Sequence, residues 1–214
     1  MSTGRSSVAG CFIAFEGIDG TGKSTQVSLL ADVFREAGQT VVVTREPTNG
    51  QYGRQIRDLS TRGVALEPQD ELEYFEQDRR EHVDTLISPA LERGEVVLTD
   101  RYFLSTAAYQ GARGLNALEI LERHESLFPV PDVVILIDLL PSKALMRVDQ
   151  RGDARNRSYE QEDFLIKAST NFHRFDRDYL CTVDGDAEAH LVHADVCAQL
   201  KNHLRISPLL KGHL

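Results

Sequence analysis

Apolar residues gather along this chain in short runs divided by longer amphipathic stretches. "CFIAF" at 11–15, "TVVVT" at 40–44, "EVVLT" at 95–99 and "DVVILID" at 132–138 are bounded by polar or turn residues. Their length and Val/Ile content predict strands buried on both faces. "AHLVHA" at 189–194 is the candidate for a fifth strand. Between the runs the spacing becomes helical: from Ser24 to Ala37, Val27, Leu30, Val33 and Phe34 share one face and Gly38 supplies a stop. Residues 68–93 form another long segment, with Pro89 a kink or break inside it. Pro141 to Arg151 and Glu160 to about Leu180 predict two more helices. The "GDARNRSYE" between them is charged and without apolar pattern, which predicts a mobile surface loop. Strand, helix, strand in this order requires crossover connections, so the expected fold class is α/β, a parallel five-stranded sheet flanked by helices. No linker divides the chain, and residues 1–214 are expected to form a single domain.

Composition narrows the function. With 214 residues, 41% of them apolar, the chain can bury a sizeable core. The 24 basic and 33 acidic residues leave a net charge of −9, which argues against a general binder of nucleic acid or membrane surfaces. Any site for anionic phosphates must therefore concentrate positive charge locally. Cys11, Cys181 and Cys197 are odd in number and in no metal-ligand spacing, as suits a reducing compartment. "MSTGRSSVAG" lacks the apolar core of a signal peptide, and no run approaches the roughly 18 apolar residues of a membrane helix. A cytoplasmic location is expected.

The chemistry begins at "FEGIDGTGKST", residues 15–25. Gly17, Gly22, Lys23 and Ser24 satisfy the phosphate-loop pattern G-x-x-x-x-G-K-[ST], with an apolar strand before it and an amphipathic helix after it. Glycines let backbone N–H groups turn inward around phosphate oxygens, and the helix N-terminus adds partial positive charge. Gly17, Ile18, Asp19, Gly20, Thr21, Gly22, Lys23, Ser24 and Thr25 are thus the candidate ATP contacts, with Lys23 on the outer phosphates and the Ser24 hydroxyl on Mg²⁺. This is the signature of a P-loop NTPase fold. The chain has neither the Asn-Lys-x-Asp of a guanine-reading switch nor the Leu-Ser-Gly-Gly-Gln of a transporter ATPase. A small phosphoryl transferase remains, with a nucleotide-binding module that does not turn over as the competing reading.

Ligands of parallel sheets collect at the carboxyl ends of strands. Arg45 follows "TVVVT", and Asp100 and Arg101 follow "EVVLT", so two arginines converge on the edge that carries the phosphate loop. A phosphorylated acceptor needs such cations, because two phosphorylated molecules must be brought together. Asp100 is placed either as a Mg²⁺ carboxylate or as the ion-pair partner of a neighbouring Arg.

"FEGIDGTGKST", "TREP", the Phe75 and Arg79 of "FEQDRREH", "DRYFLSTAAYQG" and "RNRSYEQEDF", in this order, resemble the bacterial thymidylate kinase family over about residues 12–175. The resemblance implies ATP- and Mg²⁺-dependent phosphorylation of dTMP, two small-molecule substrates and a homodimer. It implies that Arg45 and Arg101 hold the acceptor monophosphate, with Arg101 also catalytic. Phe75 would stack on the base and Arg79 reach the base edge or phosphate, whereas periodicity alone reads a core Phe beside a surface Arg. Thr106 and Gln110 match polar contacts to thymine. Tyr109 matches a tyrosine crowding the sugar 2′ position, and Asp19 matches an acidic position near the sugar hydroxyl and the metal-bound end of the acceptor.

The departures from the family matter. Gly20 stands where some members carry an Arg. In the others a basic residue comes from a lid, here about residues 151–160, with Arg151, Arg155 and Arg157 available and Arg155 and Arg157 the catalytic candidates. Glu76 and Gln77 replace small residues common at these positions, and face either solvent or the acceptor pocket. A deoxynucleoside kinase, acting on a neutral hydroxyl with a carboxylate base such as Glu16, is the nearest enzymatic alternative.

Overall fold

A computed structural model describes residues 10–64, 66–151 and 162–210. Strand β1 (Cys11–Glu16) leads through the phosphate loop into α1 (Lys23–Glu36) and β2 (Val41–Arg45). Helices α2 (Gln51–Thr61), α3 (Pro68–His82) and α4 (Ser88–Glu92) follow, then β3 (Val96–Asp100), α5 (Phe103–Ala112) and α6 (Ala117–Leu127). The chain continues through β4 (Val133–Asp138), α7 (Pro141–Arg151), α8 (Glu162–His173), β5 (Leu180–Asp184) and α9 (Ala189–Lys201). The five strands are all parallel, in the order β2-β3-β1-β4-β5.

Side chains alternate across a strand, and β1 shows what that does. Phe12 and Ala14 enter a core with α5, α6 and α8, while Cys11, Ile13 and Phe15 enter a second core with α1 and α9. Helices therefore cover both faces, as the apolar runs required. β2 departs from the expectation of full burial: it pairs only with β3, and Val43 is 45% exposed. An edge strand has lost one neighbour, whatever its Val content.

The fifth strand is not at 189–194. β5 lies at Leu180–Asp184, and residues 189–194 open α9, whose Val192, Val196 and Leu200 recur every fourth residue and are buried. The apolar positions that suggested alternation belong to a helical stripe extending beyond the six residues. The helix expected to reach Leu180 ends at His173, where Phe175 N–H bonds back to Phe172 O (3.2 Å) and the two rings meet edge-on at 6.1 Å. The 68–93 segment stays helical through its junctions, and the irregularity expected of Pro89 is a π-turn at Val83–Ile87 just before α4. Proline has no N–H to continue the helical ladder, and a wider turn ahead of it accommodates the gap.

The pairing register places the site. Arg45 of β2 and Phe15 of β1 both lie opposite Asp100 of β3. The segments that follow these three strands consequently emerge side by side.

Candidate active site

In the phosphate loop Lys23 turns back over the loop and donates to Ile18 O (2.7 Å) and Thr21 Oγ1 (3.4 Å). Burial, and next the charge of Arg101, push its ammonium down to about 8. Phosphate oxygens would reverse that shift, so ATP binding near pH 8 is expected to take up protons and to weaken as pH rises further. Calorimetry at pH 8 in two buffers of different ionisation enthalpy measures the uptake, and identical heats would refute it. Gly20 adopts φ +87°, and a Cβ there would stand 2.2 Å from Ala144 O in α7. No side chain fits, which explains physically why this loop carries no Arg of its own.

Ser24, the second residue of α1, is exposed and donates to Asp100 Oδ2. The hydroxyl and the carboxylate thus share one point at the mouth of the loop, the hard oxygen pair that Mg²⁺ prefers. The neighbouring Arg101 has φ +72°, in the left-handed region. Its turn is pinned from both sides, by Arg101 N–H on Phe15 O and Thr99 Oγ1 on Arg101 O, both 2.8 Å. A non-glycine residue held in such a conformation marks a position where direction matters more than local strain.

The direction is into the loop. Arg101 donates to Gly17 O (3.0 Å), Ser105 Oγ (2.9 Å) and Asp19 Oδ1 (2.7 Å), and its guanidinium lies 5.1 Å from the centroid of the Tyr109 ring. Tyr109 OH donates to Asp19 Oδ2 at 3.1 Å. Burial alone would raise the Asp19 carboxyl, but Arg101 and then Lys23 outweigh it and hold the group at about 2.

Glu16, the residue of the alternative with a carboxylate base, is fully buried. It accepts from Tyr102 N–H (3.0 Å), Ser105 N–H (3.1 Å) and the Ser105 hydroxyl, holding the start of α5. Burial pushes its pKa up to about 7 against those hydrogen bonds. Its oxygens are engaged with the protein rather than directed at an acceptor hydroxyl.

Arg45 is exposed at the end of β2. Burial, then the nearby charge of Arg45, lower the Arg57 pKa, and Arg54 adds to the effect. Arg57 is held by Pro47 O (2.8 Å) and Thr48 O (2.6 Å). Asp78 offsets part of this repulsion, and a bound anion would offset more of it. Arg57 was not among the candidates, because nothing in the α2 sequence distinguishes it from a surface arginine.

Helices α3 and α5 face each other across two polar rungs. Arg79 Nη2 donates to Thr106 Oγ1 (2.9 Å), and one helical stripe earlier Gln110 Nε2 donates to Glu71 Oε2 (2.7 Å). Half-buried Phe75 stands on α3 midway between the two, four residues from each. The reading from periodicity is inverted here: Arg79 is 1% exposed and Phe75 is the more open of the pair.

Arg79 is buried because its charge is met on every side. Glu46 Oε2 accepts from Nε (3.0 Å) and Nη2 (2.5 Å), and the Tyr102 and Phe128 rings lie 5.0 and 5.6 Å from the guanidinium. Glu46 Oε1 contacts His82 Nδ1 (3.0 Å). Burial would raise the Glu46 pKa, but Arg79 and His82 lower it. Nη1 of Arg79 meets His124 Nδ1 (3.2 Å), and His124 Nε2 meets Glu76 Oε1 (3.1 Å). Glu76 therefore faces inward, with its second oxygen on Arg123 (2.7 Å), while Gln77 faces solvent.

Since an arginine can only donate, His124 Nδ1 accepts, and its proton sits on Nε2 toward Glu76. Burial lowers the His124 pKa, the Glu76 hydrogen bond opposes that, and the Arg79 charge adds to it. The folded value lies below the ordinary value of about 6.5. The stabilisation is then complete above pH 6.5 and lost as pH falls through the folded value. His124→Gln can accept from Arg79 and donate to Glu76 without titrating, so it should lose less Tm between pH 7.5 and 5.5 than the wild type. Parallel Tm profiles would exclude this role for His124.

Of the candidate residues, Arg101 is thus in direct contact with Gly17, Asp19 and Tyr109, and Ser24 with Asp100, while Arg79 meets Thr106 and Gln110 meets Glu71 on the two rungs, with Phe75 between them on α3. Arg45 shares the same sheet edge but joins Arg57. Arg155 and Arg157 lie outside the described residues. Sequence reading missed Glu46, Arg57, Glu71 and His124. Glu71 had a usable signal, the four-residue spacing with Phe75 and Arg79.

The family model described as thymidylate kinase matches residues 15–196. A thymidylate kinase of Xanthomonas euvesicatoria pv. vesicatoria is 46% identical over 199 residues, covering 91% of this chain and 87% of that protein. One from Desulfotalea psychrophila is 42% identical over 199 residues, covering 92% and 98%. One from Xanthomonas campestris pv. campestris is 44% identical over 201 residues, covering 92% and 87%.

Proposed function

The chain belongs to the thymidylate kinase family, and on that premise we propose how its residues divide the phosphorylation of dTMP to dTDP by ATP. The observation that carries the reading is Arg101, which spans from β3 to the phosphate loop while holding Asp19 and Tyr109. One guanidinium so placed can hold the acceptor phosphate against the end of the donor.

A phosphomonoester has its second ionisation near pH 6, so at pH 7 the dTMP phosphate is largely a dianion and attacks without a protein base. This fits Glu16 being engaged elsewhere. Catalysis is then positioning and charge stabilisation. Lys23 and the loop N–H groups bind the ATP phosphates, Ser24 and Asp100 would hold Mg²⁺, and Arg45, Arg57 and Arg101 hold the acceptor phosphate. Mg²⁺, when bound, offsets charge on the phosphates and fixes their geometry. Asp19 is assigned the sugar hydroxyl and Tyr109 the crowding of the 2′ position. Phe75, Arg79, Thr106 and Gln110 form the base slot between α3 and α5.

A lid at about residues 151–160, within one domain spanning 1–214, supplies Arg155 or Arg157 to the transferring group. The closed space at Gly20 supports this assignment, since no basic residue can come from the loop there. The homodimer and the cytoplasmic location rest on the family resemblance and the free cysteines. Among the described residues, no helix is long and apolar enough to cross a membrane. Sedimentation of the purified protein tests the dimer.

The function is tested by ADP release from Mg²⁺-ATP with dTMP, dUMP, dCMP, dGMP, UMP or thymidine supplied singly. Turnover should be highest with dTMP and absent with thymidine. The advantage over dUMP should be modest, about 1 kcal/mol or roughly fivefold, because one methyl group distinguishes them. Turnover with thymidine would overturn the reading.

A further inference from the structure

The two rungs between α3 and α5 differ in what they leave unsatisfied. At the Arg79 rung each guanidinium nitrogen and the Thr106 hydroxyl oxygen have a hydrogen-bond partner. At the other rung the Gln110 amide is completely buried, its Nε2 is committed to Glu71, and its Oε1 has no hydrogen-bond partner. A buried carbonyl left without a donor is costly. Such a group persists where a ligand completes it.

The amide could turn over only if Glu71 could donate, and an ionised carboxylate cannot. Arg113 holds the Glu71 carboxylate in place: its Nη1 pairs with the same Oε2 while its Nη2 bonds to Leu66 O. The order Arg113, Glu71, Gln110 is thus a chain of one-way hydrogen bonds, donor to acceptor from both ends onto the carboxylate. It leaves the Gln110 oxygen as the group available to a base lying on Phe75.

We infer that Glu71, held by Arg113, fixes the Gln110 amide with its oxygen toward the base, and thereby determines which class of pyrimidine the acceptor site takes. The inference rests on the reading above that Gln110 contacts the base. A 4-oxo pyrimidine, thymine or uracil, carries a proton on N3 and donates it to Oε1. In a 4-amino pyrimidine such as cytosine, N3 is itself an acceptor and would face the Gln110 oxygen with no proton between them. Glu71 is a positioning residue in this account. It discriminates by preventing a rotation, and does so without touching substrate.

The experiment compares kcat/KM for dTMP and dCMP in the wild type and in Glu71→Gln. A glutamine at 71 can donate as well as accept, so the Gln110 amide is free to present Nε2 to the base. The ratio of dTMP to dCMP should fall about tenfold, by loss with dTMP and gain with dCMP. A merely structural role would lower both substrates together and leave the ratio unchanged, and that result would overturn the inference. Glu71→Leu, which removes the acceptor that orients the Gln110 amide, provides the same readout if Glu71→Gln does not fold. It should lower the ratio in the same direction, and an unchanged ratio there also counts against the inference. Gln110→Leu separates the premise from the proposal. It should raise KM for dTMP, and an unaltered KM would mean that Gln110 does not read the base at all. A raised KM in Gln110→Leu beside an unchanged ratio in Glu71→Gln would defeat the role of Glu71 alone.

Discussion

Arg101→Ala is expected to lower kcat by roughly 10²- to 10³-fold, the size of effect seen when one preorganised donor is lost from a site that stabilises developing charge. The side chain touches the loop backbone at Gly17, the Asp19 carboxylate and the Tyr109 ring together. On the division of roles proposed above, its removal takes a cation from the acceptor phosphate; it also frees Asp19, whose carboxyl Arg101 and Lys23 hold at about 2. Asp19 would then stand near two phosphorylated substrates with its charge less well offset. Arg101→Lys should recover little of the loss, because an ammonium cannot bond Gly17 O, Ser105 Oγ and Asp19 in one plane. Stability should change far less than rate. Pre-steady-state turnover together with thermal unfolding separates the two, and a variant with near-normal kcat would remove Arg101 from the centre of the mechanism.

Glu46→Ala should have the largest effect on folding, about 3–5 kcal/mol of lost stability. The reason is the partner left behind. Arg79 is 1% exposed, and Glu46 accepts from two of its nitrogens. Without that carboxylate the guanidinium is a buried cation whose remaining contacts are Thr106, His124 and aromatic faces. Removing both charges, in a Glu46→Leu and Arg79→Met double variant, should restore much of the stability lost in Glu46→Ala, though not the binding of dTMP. Urea denaturation of the single and double variants measures this. A double variant as unstable as the single would show that the loss comes from repacking rather than from the stranded charge.

The residue that precedes Pro47 in "TREP" is therefore structural, while Arg45, its neighbour in sequence, is the one proposed to hold a phosphate. Arg45 ends an edge strand and faces outward, while Glu46 turns inward and is 6% exposed. Alternation along an extended chain separates them. Which of the two would be buried was not legible from the tetrapeptide, since both are charged. The same holds on α3, where the stripe Glu71, Phe75, Arg79 could be counted from the sequence but its direction could not. A stripe of mixed polarity has no preferred face until the opposing helix provides partners. α5 does so with Thr106 and Gln110, and α6 with His124.

The fifth strand illustrates the opposite error. "LCTVD" is short, half-polar and at a sheet edge, so its pattern is weak, whereas "AHLVHA" within α9 is more apolar and drew the assignment. Pairing with β4 makes Leu180–Asp184 a strand, and that pairing is a long-range contact.

What the sequence by itself determined is everything whose physics is local. The phosphate loop needs only glycines, a lysine and a hydroxyl within one strand-to-helix turn, and the central strands declare themselves because burial on both faces demands continuous apolar runs. The placing of Arg45, Asp100 and Arg101 at strand ends follows from the same runs. Only the tertiary structure decided the two polar rungs between α3 and α5 and the chain of charges behind them. Glu46, Arg79, His124 and Glu76 come from the segment after β2, from α3 and from α6, and each is tolerable in the interior only because the others are there. A buried charge takes its meaning from partners distant in the chain, and desolvation acts on it only once the helices have closed around it.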